Sequence, residues 1–257
     1  WGRCGVLIAE MRNMPATLYT GEMFDHTAHA VIAKSIEHLP ALWAFCTSEE
    51  FRTEVRKVSQ KLNVTNETLV KVNFDLQHWS RVAQDAYPQG LPKPSSDNPT
   101  QWLFDGHPKE SEATLQVAVA RLLGYRWPRQ TGSSFVDCPA LGPDRLDKHA
   151  DGDRIVALNP VKGEQPASSR LLALLADAFG ADWSAAKLDS LLAQVGFAGK
   201  TLDDWLRDGF FEQHCELFHQ RPFVWHIWDG RRDGFHALVN YHRLAAPNGE
   251  GRRTLEK

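Results

Sequence analysis

Arg221 to Leu244 reads RPFVWHIWDGRRDGFHALVNYHRL. Phe223, Trp225 and Ile227 alternate with Val224, His226 and Trp228. After DGRRDG, Phe235, Ala237, Val239 and Tyr241 alternate with His236, Leu238, Asn240 and His242. Period-two alternation on both sides of a Gly/Asp turn predicts a β-hairpin with one apolar face. Asp229, Gly230, Asp233 and Gly234 suit the turn, because Gly tolerates positive φ and Asp can bond its own backbone. The expected arrangement leaves Arg231 and Arg232 in solvent at the tip. The histidines and Asn240 lie on the polar side, with Trp225, Ile227, Val239 and Tyr241 packed underneath. Two arginines on a rigid tip can reach a phosphate or a guanine edge. From spacing alone, a solvated turn that keeps the chain soluble is the favoured reading.

Upstream of the hairpin the pattern turns helical. Leu171, Leu172, Leu175 and Phe179 share one face, closed by Gly180. Ser184 caps a helix carrying Leu188, Leu191, Leu192 and Val195, closed by Gly196. Thr201-Leu202-Asp203-Asp204 starts a third, which runs to Leu217 with Gly209 as a weak point until Pro222 stops it. Further back, Trp127 to Ser169 is rich in Pro, Gly and Asp, and only Arg154 to Leu158 is strand-like. Ser111 caps a helix through Leu115, Ala118, Val119 and Leu122, ending at Gly124. PQGLPKPSSDNP before it marks a boundary or extended connector.

The N-terminal part holds short strand-like runs, Gly5 to Ile8 and Ala30 to Ala33. A short helix follows over Leu39 to Cys46. Phe51, Val55, Val58 and Leu62 recur on one helical face, with Arg52, Arg56, Lys57 and Lys61 away from it. Glu49, Glu50 and Glu54 interleave with those cations, which favours a solvated face over phosphate binding. Leu69 to Phe74 is expected as a returning strand, and Trp79 and Val82-Ala83 as a short helix. The whole is expected to be an α+β protein, predominantly helical. It divides into an α/β region over 1–90, a connector with one helix and a long irregular loop over 91–170, and a helical segment over 171–257 ending in the hairpin and a basic tail.

The chain has 257 residues with 42% hydrophobic content, enough for one large core or two. No apolar run reaches membrane-spanning length. Net charge is −3, from 29 Lys+Arg against 32 Asp+Glu, so binding to nucleic acid requires a local basic patch. His219 to Lys257 supplies one, because Arg and Lys clearly outnumber Asp and Glu there. Cys4, Cys46, Cys138 and Cys215 are widely spaced and form no CxxC, which points to neither a zinc knuckle nor a disulfide framework. His214, Cys215, His219, His226, His236 and His242 crowd the C-terminal part, but their spacing fits no zinc pattern. Such histidines are more often polar-face residues or hydrogen-bonded partners. Asp203, Asp204, Asp208 and Glu212 read as helix-start and solvent charges rather than a two-carboxylate site. No GxGxxG, P-loop or GxSxG occurs. The start at Trp1 and the end within a pattern at Thr254-Leu255-Glu256-Lys257 lead to the expectation of an interior fragment of a larger protein.

With DWLRDGFFEQHCELFHQ before it, the hairpin stretch resembles a segment of large bacterial adenine-N6 DNA methyltransferases. These are the type IIG-like, single-chain restriction–modification or phage-defence methylases. LPALWAFC from Leu39, LNVTNETLVKVNFDLQHW and QGLPKPSSDNPTQWLFDGHP resemble the same proteins. The likeness spans most of the chain and is weakest from Pro128 to Ser169. Such enzymes carry an Asn-Pro-Pro-Tyr-type motif and a glycine-containing S-adenosylmethionine motif. Asn98-Pro99-Thr100-Gln101 and Asn159-Pro160-Val161 lack the second Pro and the aromatic that would stack on a flipped adenine.

The resemblance therefore implies a region C-terminal to the catalytic core, with target-recognition and connector roles. The fragment itself is expected to be inactive, with no catalytic residue, no cofactor and no metal of its own. S-adenosylmethionine belongs to the parent, a site-specific adenine methyltransferase. Expected partners are double-stranded DNA and the catalytic domain of the same parent chain, in the cytoplasm, with no membrane. The expected DNA-binding residues are Arg231, Arg232, Arg243, His236 and Asn240. The competing reading is a helical scaffold for subunit or domain association that touches no DNA. A separate enzyme with a His/Cys metal site is a third.

Overall fold

The computed structural model describes residues 3–11, 13–21, 23–91, 95–134, 138–161, 163–247 and 249–256. The fold is α+β and predominantly helical, with two small antiparallel sheets among the described residues. The chain divides into two compact units, the first ending in the Pro-rich stretch before Ser95.

In the first unit, β1 (Gly5–Ala9) is central, between β2 (Ala16–Tyr19) and β3 (Ala28–Val31). Val6 pairs with Leu18 on one side and Val31 on the other. Val6 and Ile8 point into the core and are fully buried. Over them lies α1 (Leu39–Cys46), with Leu42 and Phe45 inward. Burial pushes the Cys46 thiol up to about 12, which makes it a small apolar side chain. Ser48 caps α2 (Glu49–Val58) by accepting the Phe51 amide at 3.1 Å. The helix stops at Val58, so Leu62, expected on its apolar face, is exposed. Arg52 pairs with Glu49 and Lys57 with Glu54, so these cations of α2 are engaged along their own helix.

The strand expected over Leu69 to Phe74 is absent, and this corrects the alternation-based reading. Thr65 accepts the Thr68 amide and starts α3 (Asn66–Leu69). Asp75 accepts the His78 amide at 3.0 Å and starts α4 (Leu76–Ala86). Two caps so close together leave no room for a strand. Phe74 instead joins Phe45, Phe51 and Trp79 in an aromatic cluster with ring centroids 5.2–5.3 Å from Phe45. Such ring pairs contribute about 0.5–1.5 kcal/mol beyond their area.

The second unit is built around α5 (Thr114–Leu122), every residue of which is buried. The segment expected as a connector thus supplies the helix at the middle of the larger core. Arg121 on this helix is 1% exposed. Its guanidinium donates to Asp144 at 2.6 and 2.9 Å, to Asp147 at 2.9 Å and to the Gly106 carbonyl at 3.0 Å. A buried charge is tolerable only when paired and bonded in this way. Next come α6 (Pro128–Thr131) and β4 (Ile155–Ala157). Then α7 (Ala167–Phe179) ends at Gly180 with φ 56°, and α8 (Ala185–Gln194) starts at the Ser184 cap.

The long helix expected from Thr201 breaks at Gly209 into α9 (Leu202–Asp208) and α10 (Phe210–Leu217). Gly209 lies against the Phe197 ring, where a Cβ has no space. Trp205 and Phe210, on either side of the break, are fully buried in the core that holds the leucines of α7. Each such side chain contributes roughly 1.5–3 kcal/mol of burial. The chain then enters the hairpin, β5 (Val224–Trp228) and β6 (His236–Asn240), and continues into α11 (Tyr241–Leu244) and α12 (Glu250–Leu255). The sheet order is β4-β6-β5, so β6 is central and all five of its residues are buried.

Candidate functional site

The hairpin forms as its alternation predicts, with Trp225 opposite Val239 and Ile227 opposite Ala237. On β5 the two faces are the reverse of the expected ones, whereas both sets of β6 are buried, Val239 as expected. Val224 and Leu238 point into the core, together with Val156 of β4. Trp225, Ile227 and Tyr241 lie on the outer face and are 40–44% exposed. The inversion follows from what the polar residues find inside.

His236 is 3% exposed. Its Nε2 lies 3.0 and 3.2 Å from the carbonyls of Arg231 and Arg232, which only accept, so Nε2 carries the proton. Nδ1 then serves as the acceptor of the ring. It takes the Nε2 proton of His226 at 2.9 Å. Burial, and then the neighbouring His236, hold His226 below the usual histidine range. Asn240, 6% exposed, donates to the Leu123 carbonyl at 3.0 Å and accepts the Arg243 amide at 3.0 Å, which starts α11. His236 and Asn240 are therefore bonded within the fold and not turned toward a DNA surface. Arg243 pairs with Glu250 at 3.0 Å and is half exposed.

The turn is fixed by local chemistry. Asp229 accepts the Arg231 amide at 3.0 Å, and its carboxylate lies over Gly234, where a Cβ would collide with it. Gly230 sits at φ 88°. The Gly234 amide donates to the Arg231 carbonyl, and Asn159 donates to the Gly234 carbonyl, both at 3.0 Å. Arg231 and Arg232 are exposed on this braced turn, as expected. Arg231 has no carboxylate partner among the described residues. Arg232 donates to Asp208 of α9 at 2.9 Å while its side chain stays 76% exposed.

Asp208 and Asp204 also hold Arg207, at 2.8 and 2.7 Å, and Arg207 is the first cause of the lowered Asp208 carboxyl. Arg207, Asp208, His226, Trp228, Arg232 and His236 line an open groove of about 380 Å³. Its chemistry is recognition: guanidinium donors, a carboxylate acceptor, and the Trp228 indole stacked on His236 at 5.6 Å. Asp208, Arg207 and Asn159 had no signal in sequence spacing, because they reach the tip from other elements. Asp204 is the helix-start charge it resembles, forming a capping box with Thr201.

His214, in the same crowded segment, is structural. It is fully buried, and its Nε2 accepts the amides of Phe223 and Val224 at 3.3 and 3.2 Å. Nδ1 donates to Gln116 at 3.1 Å, whose amide donates to the Phe210 carbonyl at 3.1 Å. Among the described residues no three His, Cys, Asp or Glu side chains are placed to share a metal ion, and no helix is long and apolar enough to cross a membrane. Comparison with protein-family models and with curated proteins finds no match.

Proposed function

We propose that this chain is a noncatalytic DNA-positioning module of an S-adenosylmethionine-dependent adenine-N6 DNA methyltransferase of a restriction–modification or phage-defence system. The motif resemblance supports the family. The observation that carries the DNA role is the pair Arg231 and Arg232, exposed on a turn braced by Asp229, Asn159 and His236. A guanidinium on a fixed backbone spends little ordering entropy on reaching a phosphate or a guanine edge. The module holds duplex DNA for the catalytic domain of its parent chain, in the cytoplasm, and leaves cofactor binding and methyl transfer to that domain.

The test is a salt-dependent titration of duplex DNA with the 257-residue chain and with Arg231→Ala/Arg232→Ala. The double variant should bind more weakly, and its slope of log affinity against log salt should shrink by roughly one for each phosphate no longer engaged. Equal affinity and slope for the two proteins would refute a role for the tip in DNA binding. A second reading, a helical scaffold that binds no DNA, is favoured by one observation: Asp204 and Asp208 of α9 neutralise the cations beside the tip. It predicts no change in either quantity.

A further inference from the structure

The groove between α9 and the hairpin tip has a chemistry that the contact of Arg231 and Arg232 with a duplex does not use. By ladder parity His226 and Trp228 of β5 and His236 of β6 share the face of Val224 and Leu238, opposite to Trp225 and Ile227. Their rings form a row. The His236 centroid lies 5.1 Å from that of His226 and 5.6 Å from that of Trp228, with the planes inclined by 31° and 23°. His236 is hydrogen-bonded at both nitrogens, which fixes its ring. Trp228 is thus backed by a fixed ring while it is itself 52% exposed. An indole held in this way is a platform for a flat ligand ring.

The polar groups of the groove narrow the ligand. Among the described residues that line it, Asp208 carries the one carboxylate. Its Oδ1 accepts Nε of Arg207 at 2.9 Å, and its Oδ2 accepts Nη2 of Arg207 at 2.8 Å and Nη2 of Arg232 at 2.9 Å. Asp208 therefore orients two guanidinium groups and has little left to offer a ligand. Nη1 of Arg207 and both Nε and Nη1 of Arg232 donate to nothing among the described residues. Planar N–H donors on neighbouring guanidinium groups match the oxygens of a phosphate. His226 supplies the complement. Its Nε2 donates to His236, so Nδ1 of this ring, which burial keeps neutral, is a bare acceptor for a ring N–H or an amino group. A second cavity of about 240 Å³ shares Arg207, Arg232 and His236 but adds the carboxylates of Asp203 and Asp233, so an anion is kept in the first. The 380 Å³ of the first falls within the range of about 300–1,000 Å³ common for small-ligand sites.

We infer that the groove between α9 and the hairpin tip binds a nucleotide unit, with its base stacked on Trp228 and its phosphate held by Arg207 and Arg232. The unit is a free nucleotide or one turned out of a DNA strand, since both present the same ring and phosphate. The site goes beyond the contact of the tip with a duplex: Trp228 and Arg207 take no part in that contact, and a nucleotide occupies the groove whether or not the tip meets DNA.

The test is calorimetric titration of the 257-residue chain with deoxyadenosine monophosphate, beside inorganic phosphate. The nucleotide should bind roughly tenfold tighter than phosphate or more, the worth of one stacked base. Trp228→Ala should remove that advantage, whereas Trp228→Phe keeps most of it. Arg207→Ala should weaken binding of the nucleotide and of phosphate alike. Photocrosslinking of the unaltered chain to an azido-substituted deoxyadenosine monophosphate should label Trp228 or His226, a readout that does not depend on a variant folding. A duplex with one unpaired adenosine separates the two sources. Tighter binding than to the fully paired duplex, lost in Trp228→Ala, assigns the groove to a strand nucleotide, and equal binding of the two duplexes assigns it to a free one. Absent binding of the monophosphate, phosphate bound as tightly as the nucleotide, variants that bind like the parent, or label confined to other elements would each overturn the inference. Failure of the tip reading is seen separately, in a duplex titration unmoved by Arg231→Ala/Arg232→Ala.

Discussion

Gln116 on α5 and His214 on α10, 98 residues apart in sequence, are hydrogen-bonded at 3.1 Å inside the second core. The bond fixes the proton on Nδ1 of His214 and turns Nε2, bare, onto the first amides of the hairpin. Helix, helix and sheet are thereby tied through one neutral imidazole.

The first prediction concerns pH. Burial lowers the His214 pKa from 6.5 to about 4. The unfolded chain binds the proton more readily than the folded one, so this contribution is complete above about pH 6.5 and is lost as pH falls toward 4. The loss should reach about 3 kcal/mol, since each unit is worth about 1.4 kcal/mol. Urea unfolding from neutral pH down to the folded-state pKa measures it, and His214→Asn should flatten that dependence while lowering stability at every pH.

Asp144→Ala should destabilise the second unit by about 3–5 kcal/mol, because it strips two charged hydrogen bonds from a guanidinium that is 1% exposed. Denaturant titration reads this directly. A loss below about 1 kcal/mol would mean that Asp147 and the Gly106 carbonyl suffice to hold Arg121.

Gly209→Ala is expected to cost about 1–3 kcal/mol through overpacking against Phe197. At an unobstructed helical position the same change gains about 1 kcal/mol, so the sign is decided by the ring. Phe197→Leu combined with Gly209→Ala should recover part of the loss, and thermal melts of the single and double variants check it.

Asp208→Asn should strengthen duplex binding. The change releases Arg232, which Asp208 holds at 2.9 Å, and loosens Arg207. The slope of log affinity against log salt should steepen by up to about one. Stability should change by less than about 1 kcal/mol, since the Arg232 side chain is 76% exposed.

Much of this fold was legible because its signals are local. Ser184 and Thr201 cap the helices that follow them, and Gly180 and Gly196 close theirs at positive φ. The hairpin strands and their turn were legible for the same reason. The orientation of the hairpin was not. Both of its alternating sets contain aromatic residues, and the set with His226, His236 and Asn240 looked polar. Inside, those groups satisfy one another, the turn carbonyls and Leu123, and the deciding partner of β6 is β4, far upstream. Leu69 to Phe74 failed differently: a short apolar alternation imitated a strand, while the caps at Thr65 and Asp75 already specified two helices. At the candidate site, the arginines were found from the turn, but Asp208 and Asn159 come from elements that only the folded chain brings to the tip.

The middle strand of the second sheet is the last of its three to leave the ribosome. β4 emerges first and waits for β6, and Leu123 waits 117 residues for the side chain of Asn240. Until then α5, buried on every side in the finished fold, has no sheet to close its core. Nascent chains that stop short of Asn240 therefore display an uncovered helix and an unpaired strand edge, the two features that chaperones and proteases recognise. Quality control of the second unit thus falls on the hairpin, which also carries the exposed arginines and rings.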